Sequence, residues 1–275
     1  MSQVLRDHKK CVYVLATGAG AANRLRLLHE VYGPGTRRVL YEAGIHSGMR
    51  VADLGCGVGM VTALLADCVG SRGQIVGIDV SADQLAEARR RLLPRYKNIS
   101  FAEASAMDTR LPSASFDLVY SRFLLIHLPD PDRALHEMRA LLKPGGILVC
   151  EDGDLTSAGS QPPSALGAFA ELFGRLGPKR GVDYTLGSRL FHMVAAAGFP
   201  VPEITFNQPV VARGETKRLL ELSVAEAGPA LVDTGLLTQE ELARTLVVMQ
   251  RATEDPNVLA EMPRMAQVWA RKPGW

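Results

Sequence analysis

Residues Val51-Ala-Asp-Leu-Gly-Cys-Gly-Val-Gly59, followed by Gln74-Ile-Val-Gly-Ile-Asp79, decide the fold. An apolar strand ends in a glycine-rich turn, a helix follows, and a second apolar strand ends in a single acid. That order is a nucleotide-binding βαβ unit. Gly55 and Gly57 let the backbone turn tightly and approach a ligand with no Cβ in the way. Asp79 stands roughly 20 residues past the last glycine, where a carboxylate can accept hydrogen bonds from both hydroxyls of a ribose.

The spacing narrows the choice of nucleotide. The dinucleotide pattern G-x-G-x-x-G wants a third glycine for close helix–strand packing. Counting from Gly55, that position is Met60. The turn here is Gly55-x-Gly57-x-Gly59, with Asp53 just ahead of it. An acid there sits poorly beside a pyrophosphate. It sits well beside a cationic ligand such as the sulfonium and α-amino group of S-adenosylmethionine. No Gly-Lys-Ser/Thr follows, so the P-loop pattern fails.

Further along stand Phe116-Asp117-Leu-Val119, His127-Leu-Pro-Asp130 and Leu142-Lys-Pro-Gly-Gly146. With the turn and Asp79, this ordered set resembles the successive motifs of class I S-adenosylmethionine-dependent methyltransferases. The flavour is that of the ubiquinone/menaquinone-biosynthesis-like branch, and the resemblance covers about residues 36–152. It implies an α/β fold: a doubly wound, Rossmann-like seven-stranded sheet with the last strand antiparallel. N-terminal helices precede the sheet, and a helical insertion lies between the last two strands. The implied division is a helical lid segment at 1–45, a cofactor-binding core at 46–213, a helical cap at 214–260 and a last core strand at 261–275.

The resemblance also assigns cofactor roles by position. The backbone of Gly55, Cys56 and Gly57 faces the methionine moiety. Asp53 fixes the turn and the amino group, directly or through water. Asp79 binds the ribose, with Val80 and Gln84 beside the adenine. Ser105, Ala106 and Met107 meet the adenine edge, although the related pattern has Asp where Ser105 stands. Ser121 and Arg122 follow the fourth strand, in the switch region where ligands sit in such sheets. Arg122 either pairs with the cofactor carboxylate or is a surface or supporting arginine. His127 either takes a proton from an acceptor hydroxyl, its pKa being near neutrality, or caps the turn before Pro129. Tyr13 and Arg24 fold over the cofactor as a lid, or pack as ordinary N-terminal residues.

The rest of the chain fits this frame. Residues 20–44 carry a helical stripe broken at Gly33-Pro34-Gly35, which predicts two helices. Apolar strands at 50–54, 74–79, 99–102, 117–120 and 146–150 alternate with helices at 60–66, 83–93 and 131–142. That alternation means a parallel, doubly wound sheet. Ser81 is the expected N-cap of the 83–93 helix. Residues 157–163 read as a loop, 164–176 and 187–197 as helices, 203–211 as the sixth strand and 265–271 as the last. Helices at 215–226 and 238–252 carry apolar faces, and Thr238-x-x-Glu241 is a capping box. Because the sixth strand runs parallel, the chain leaves it on the ligand side, and these two helices are expected to cover the acceptor pocket.

Thirty-one basic and 29 acidic residues leave a net charge of +2. Such balance gives no footprint for nucleic acid, and Arg89-Arg90-Arg91 reads as a solvated helix face. The strand-four sequence Tyr120-Ser-Arg-Phe123 also lacks the Asn/Asp-Pro-Pro-aromatic signature by which methyltransferases of base amino groups resemble one another. Cys11, Cys56, Cys68 and Cys150 have no metal-type spacing, and a reduced, cytoplasmic protein is expected. No apolar run approaches the roughly 18 residues that span a membrane. Glu151, Asp152 and Asp154 cluster after the fifth strand. A metal there would need further oxygen ligands after the sixth, where only Asn207 stands, so no metal is expected and a polar wall facing the substrate is.

The expected activity is methyl transfer from S-adenosylmethionine to oxygen, carbon or nitrogen of a small, moderately apolar metabolite. The alternative is a protein of the same fold that binds the cofactor without transferring the methyl group, as a pericyclic or isomerising catalyst or a scaffold. The sequence leaves the acceptor and the oligomeric state open.

Overall fold

The structure is a computed structural model describing residues 19–274, with side chains from residue 22. In chain order its elements are α1 (Ala19–Ala43), β1 (Arg50–Leu54), α2 (Met60–Val69), β2 (Gln74–Asp79), α3 (Ala82–Leu92), β3 (Ile99–Glu103) and β4 (Phe116–Arg122). Next come α4 (Pro131–Leu141), β5 (Leu142–Asp154), β6 (Gly159–Gln161), α5 (Ala168–Arg180), α6 (Leu190–Ala196), β7 (Glu203–Asn207) and β8 (Val210–Val211). The chain finishes with α7 (Leu219–Asp233), α8 (Gln239–Glu254), β9 (Leu259–Glu261) and β10 (Arg264–Arg271).

Val51, Ala52 and Leu54 are fully buried because β1 is covered on both sides, as a central parallel strand must be. The main sheet has the order β3-β2-β1-β4-β5-β10-β7. β1 to β5 pair in parallel, and β10 runs antiparallel to both β5 and β7. This is the seven-stranded sheet expected, last strand reversed. The strand order turns between β1 and β4, which opens a crevice beyond their carboxyl ends. One face packs Val51, Leu118, Val149 and Trp269 against Val39 and Leu40 of α1 and Leu65 and Val69 of α2. The other packs Ala52, Val119, Leu148 and Val268 against Leu135 and Met138 of α4 and Val194 of α6.

Four local expectations change. The N-terminal stripe is one helix, not two. Pro34 removes an N–H from its interior, but buried Leu27 and Tyr32 before it and Thr36, Val39 and Leu40 after it hold both halves in place. Tyr32 Oη donates to the carbonyl of Pro263 at 2.8 Å. Gly35 serves close approach: a Cβ there would lie 2.2 Å from Asn207 Nδ2. The expected sixth strand is two pieces, β7 in the main sheet and β8 in a separate three-stranded sheet ordered β6-β9-β8. The expected loop at 157–163 contributes β6 to that second sheet. The 187–197 helix shortens to α6, preceded by a 3-10 turn over Leu186–Arg189. Among the described residues no helix is long and apolar enough to cross a membrane.

That 3-10 turn packs directly on the end of β5. A Cβ on Gly187 would lie 2.5 Å from the Asp152 carbonyl oxygen and 2.6 Å from the Gly153 carbonyl carbon. Neither backbone atom can swing aside, so overpacking of this kind falls at the costly end of its range. Gly187→Ala is expected to lower stability by about 2–3 kcal/mol, read as a fall in the urea midpoint. An unchanged midpoint would mean the turn has slack the structure does not show.

Candidate functional site

The glycine turn takes its shape from positive φ at Gly55 (70°), Gly57 (53°) and Gly59 (78°), a region other residues enter only at a cost. The amides of Gly55 and Cys56 donate to the Ile78 carbonyl at 2.8 and 3.0 Å. The Gly57 amide donates to Asp79 Oδ2 at 2.9 Å, and the Ser81 amide to Asp79 Oδ1 at 2.9 Å. Asp79 thus fastens the turn after β1 to the start of α3. Burial raises its pKa, against the pull of the Ser81, Gly57 and Val80 amides. Ser81 caps α3 as expected, its Oγ accepting from the Gln84 amide at 3.3 Å.

Beyond the turn opens a cleft of about 590 Å³. Asp53, Gly55, Cys56, Gly57, Asp79, Val80, Gln84, Ser105, Ala106, Met107, Arg122 and His127 all line it. Asp53 is 2% exposed and its Oδ2 accepts from Thr62 Oγ1 at 2.6 Å, which ties β1 to α2. Burial pushes its carboxyl up to about 7; the Thr62 bond and the Arg122 charge oppose this and Asp79 adds to it. Gln84 Oε1 is buried and has no partner. Ser105 Oγ accepts the Met107 amide at 3.1 Å, so its hydroxyl is partly engaged by its own turn. Arg122 Nη1 donates to Thr36 Oγ1 at 3.2 Å, reaching α1 from the cleft.

Ser121 departs from expectation. Side chains alternate along a strand, so β4 points Tyr120 and Arg122 into the cleft and Ser121 to the opposite face, where it is fully buried. Tyr13 lies outside the described residues. The acids after the fifth strand do not form a polar wall. Glu151 and Asp152 are both fully buried, on opposite faces of β5. Glu151 accepts from Tyr120 Oη and from Gln267 Nε2, the latter at 2.5 Å. Asp152 Oδ2 accepts from the Leu125 amide at 2.9 Å, and burial raises its pKa to about 7. Asp154 caps the short turn at Leu155–Ser157. Among the described residues no group of three or more His, Cys, Asp or Glu is placed to hold a metal ion.

A second, apolar cavity of about 60 Å³ lies against the first. α1 supplies Arg24, Leu28 and Tyr32, α5 supplies Phe169 and Phe173, and α7 supplies Leu219, Leu220 and Ser223. α8 does not reach it. α8 packs behind α7, with Leu242 over Gly228, so only the first of the two expected cap helices lines the cavity. Arg24 is 4% exposed, and its Nε donates to Glu226 Oε2 at 2.6 Å. Leu28, Phe123 and His127 line both cavities. The His127 ring meets Tyr184 edge-on at 5.7 Å between centroids. Burial, helped by the Arg24 charge, lowers its pKa to about 3 rather than leaving it near neutrality.

Sequence reasoning passed over Thr62, Tyr120 and Phe123. The first two are partners of Asp53 and Glu151 across the fold. Phe123 sits at φ 49°, a strained value for an aromatic residue, and its amide donates to the Glu151 carbonyl at 2.8 Å. Only the period-two alternation of β4 carried a signal, and for Tyr120 alone.

The sheet order, the glycine turn and the acid at the end of β2 are those of a class I S-adenosylmethionine-dependent methyltransferase domain. Residues 51–146 match the family model described as a methyltransferase domain. Demethylmenaquinone methyltransferase of Staphylococcus aureus is 38% identical over 114 residues, which take in 42% of this chain and 47% of that protein. The chain spans about half the length of the curated relatives it matches. Among solved structures, the [4+2]-cyclase SpnF is 25% identical with a TM-score of 0.54, covering 95% of this chain and 85% of its own. A phosphoethanolamine N-methyltransferase of Haemonchus contortus is 18% identical with a TM-score of 0.52, covering 94% and 54%. Over residues 51–146 the chain therefore matches a methyltransferase domain.

The domain's cofactor is S-adenosylmethionine, and the residues present fit it. The turn leaves a cradle that side chains would fill: a Cβ on Gly55 would lie 2.8 Å from Leu124 Cδ1, and one on Gly57 3.0 Å from Gln84 Oε1. Gln84 Oε1 is an acceptor awaiting a donor. Two carboxylates, Asp53 and Asp79, stand ready for the cationic and hydroxyl ends of such a ligand.

With its pKa near 3, His127 is neutral throughout the ordinary range, since an imidazole charges only below its own pKa. Histidine-selective 15N NMR, assigned with a His127→Ala sample, should show this ring neutral from pH 8 down to pH 5. A midpoint near 6.5 would contradict the burial that the structure assigns to it.

Proposed function

We propose that the protein transfers a methyl group from S-adenosylmethionine to an oxygen, carbon or nitrogen atom of a small, largely apolar acceptor. The observation that carries this reading is the meeting of the two cavities. A cleft carrying Asp53, Asp79 and Arg122, suited to the cofactor, and a smaller apolar cavity suited to an acceptor share Leu28, Phe123 and His127 as their common wall. The name of the S. aureus relative supports a quinone-type acceptor. Unpaired Cys56, Cys68 and Cys150 accord with a cytoplasmic setting.

In this reading Asp79 receives the ribose hydroxyls while keeping its bonds to Gly57 and Ser81, because two carboxylate oxygens offer about four acceptor positions. The Gly55-Cys56-Gly57 backbone holds the methionine portion. Asp53 faces its positive charges, and Arg122 its carboxylate. Val80 and Gln84 flank the adenine, with Ser105, Ala106 and Met107 at its edge. Bound there, S-adenosylmethionine supplies an electrophilic methyl on sulfur, so the protein's task is to aim an electron pair and keep water out.

His127 does that aiming. An imidazole of pKa about 3 cannot take a proton outright from a hydroxyl of pKa about 10, a gap of roughly 9–10 kcal/mol. Its neutral ring instead accepts a hydrogen bond from the acceptor and turns that group toward the cleft. The aromatic and aliphatic side chains of α1, α5 and α7 exclude water behind it.

A second reading is a cofactor-binding catalyst that rearranges its substrate without methyl transfer. The likeness to the [4+2]-cyclase favours it, because that alignment covers 95% of this chain. Label separates the two. Incubation with methyl-labelled S-adenosylmethionine and demethylmenaquinone, reduced so that its ring is electron-rich, should place label in the quinone. Absence of label from this and a panel of phenol, amine and enol acceptors, with tight cofactor binding intact, would favour the second reading.

Cofactor contacts are tested by calorimetry with S-adenosylhomocysteine. Asp79→Ala should weaken binding by about 2–4 kcal/mol, because charge-assisted bonds are lost and the turn loses its brace. Ser105→Ala should cost only about 1 kcal/mol, since a neutral bond is lost. An equal or larger effect at Ser105 would reverse that ranking.

A further inference from the structure

Asp152 is the buried acid that the proposed reaction leaves without a task. It stands at the end of β5, fully buried, on the face opposite Glu151. Its Oδ2 accepts the Leu125 amide at 2.9 Å, and its Oδ1 is buried without a hydrogen-bond partner. Leu125 opens the 3-10 turn Leu125–His127. Within that turn the His127 amide donates to the Leu124 carbonyl at 3.0 Å. One carboxylate oxygen therefore holds the first amide of the turn that carries the histidine.

The same strand end supports the ring from its other side. The Leu155 amide, just past β5, donates to the Tyr184 carbonyl at 2.8 Å. The Tyr184 ring then packs edge-to-face with the His127 ring. Phe123, also shared by the two cavities, is held by the hydrogen bond its amide donates to the Glu151 carbonyl. A buried carboxylate is expensive unless it is bonded, and the bond that Asp152 makes goes to the turn that carries His127.

We propose that Asp152 is a positioning residue whose carboxylate sets the Leu125–His127 turn, and so holds the His127 ring between the cofactor cleft and the apolar cavity. The proposal rests on the reading in which His127 orients the acceptor. It gives β5 a double role: Glu151 braces the cleft side of the sheet through Tyr120 and Gln267, and Asp152 braces the histidine turn on the other.

The test uses Asp152→Asn, which keeps one acceptor oxygen for an amide, and Asp152→Ala, which keeps none. In histidine-selective 15N NMR of the full chain, the His127 ring signals should move in both variants, further in the alanine. S-adenosylhomocysteine affinity by calorimetry should stay within about threefold of wild type, since no cofactor contact is touched. With reduced demethylmenaquinone as the probe acceptor, kcat should fall roughly tenfold in the asparagine variant and ~100-fold in the alanine, the scale of loss that small misplacements cause. Added to His127→Ala, Asp152→Asn should lower kcat no further, because both changes act through one ring.

Unmoved His127 signals would overturn the proposal, as would an additive loss in the double variant or a parallel loss of cofactor affinity. If Asp152→Ala fails to fold, the asparagine variant alone decides each arm. A wild-type kcat in His127→Ala alone would sink the catalytic reading of His127, and the NMR arm would then decide the positioning by itself.

Discussion

The carboxylate of Asp79 holds the site together before any ligand arrives. It accepts one amide from the glycine turn after β1 and another from the entrance of α3, both at 2.9 Å. Three glycines with positive φ are tolerated because the turn they form is tied to β2 at Ile78 and to Asp79 at once. The space beside the turn exists because those residues carry no side chain. Gly55 would otherwise push into Leu124, and Gly57 into Gln84. The cleft is therefore a property of backbone geometry, and little rearrangement is needed to fill it.

Around that cradle the buried polar groups fall into separate, local networks. Asp53 binds Thr62, Glu151 binds Tyr120 and Gln267, and Asp152 binds the Leu125 amide. Each network joins two elements of the sheet or its flanking helices. Breaking one partner would leave a desolvated carboxylate uncompensated, which is costly. The apolar cavity is built differently, from α1, α5 and α7 closing over Phe123 and His127. The buried Arg24–Glu226 ion pair spans α1 and α7 at its edge. The apolar cavity is thus assembled by helix packing, and the cleft by strand ends.

What the sequence made legible follows from range. The β1 turn, Asp79 and the Ser81 cap are local chemistry, and all three stand where they were expected. So did the strand alternation and the reversed last strand. The continuity of α1 through Pro34 was not legible, because tertiary packing on both sides of the proline outweighs its local cost. The lining of the apolar cavity has no local signal either, since its walls come from segments far apart in the chain. Ser121 and the Glu151/Asp152 pair are a different case. Strand alternation turns neighbours there to opposite faces, so adjacent positions in the sequence form no single cluster. The His127 environment depends on burial, which no residue near it announces.

The account stands or falls on Asp79 and the turn it braces. A crystal structure of the protein grown with S-adenosylhomocysteine tests this most directly. The account predicts the ligand in the cleft, its ribose hydroxyls within hydrogen-bond distance of both Asp79 oxygens, with the Gly57 and Ser81 amides still bound to that carboxylate. A ligand seated elsewhere, or one in the cleft that leaves Asp79 bonded only to its own backbone, would contradict it.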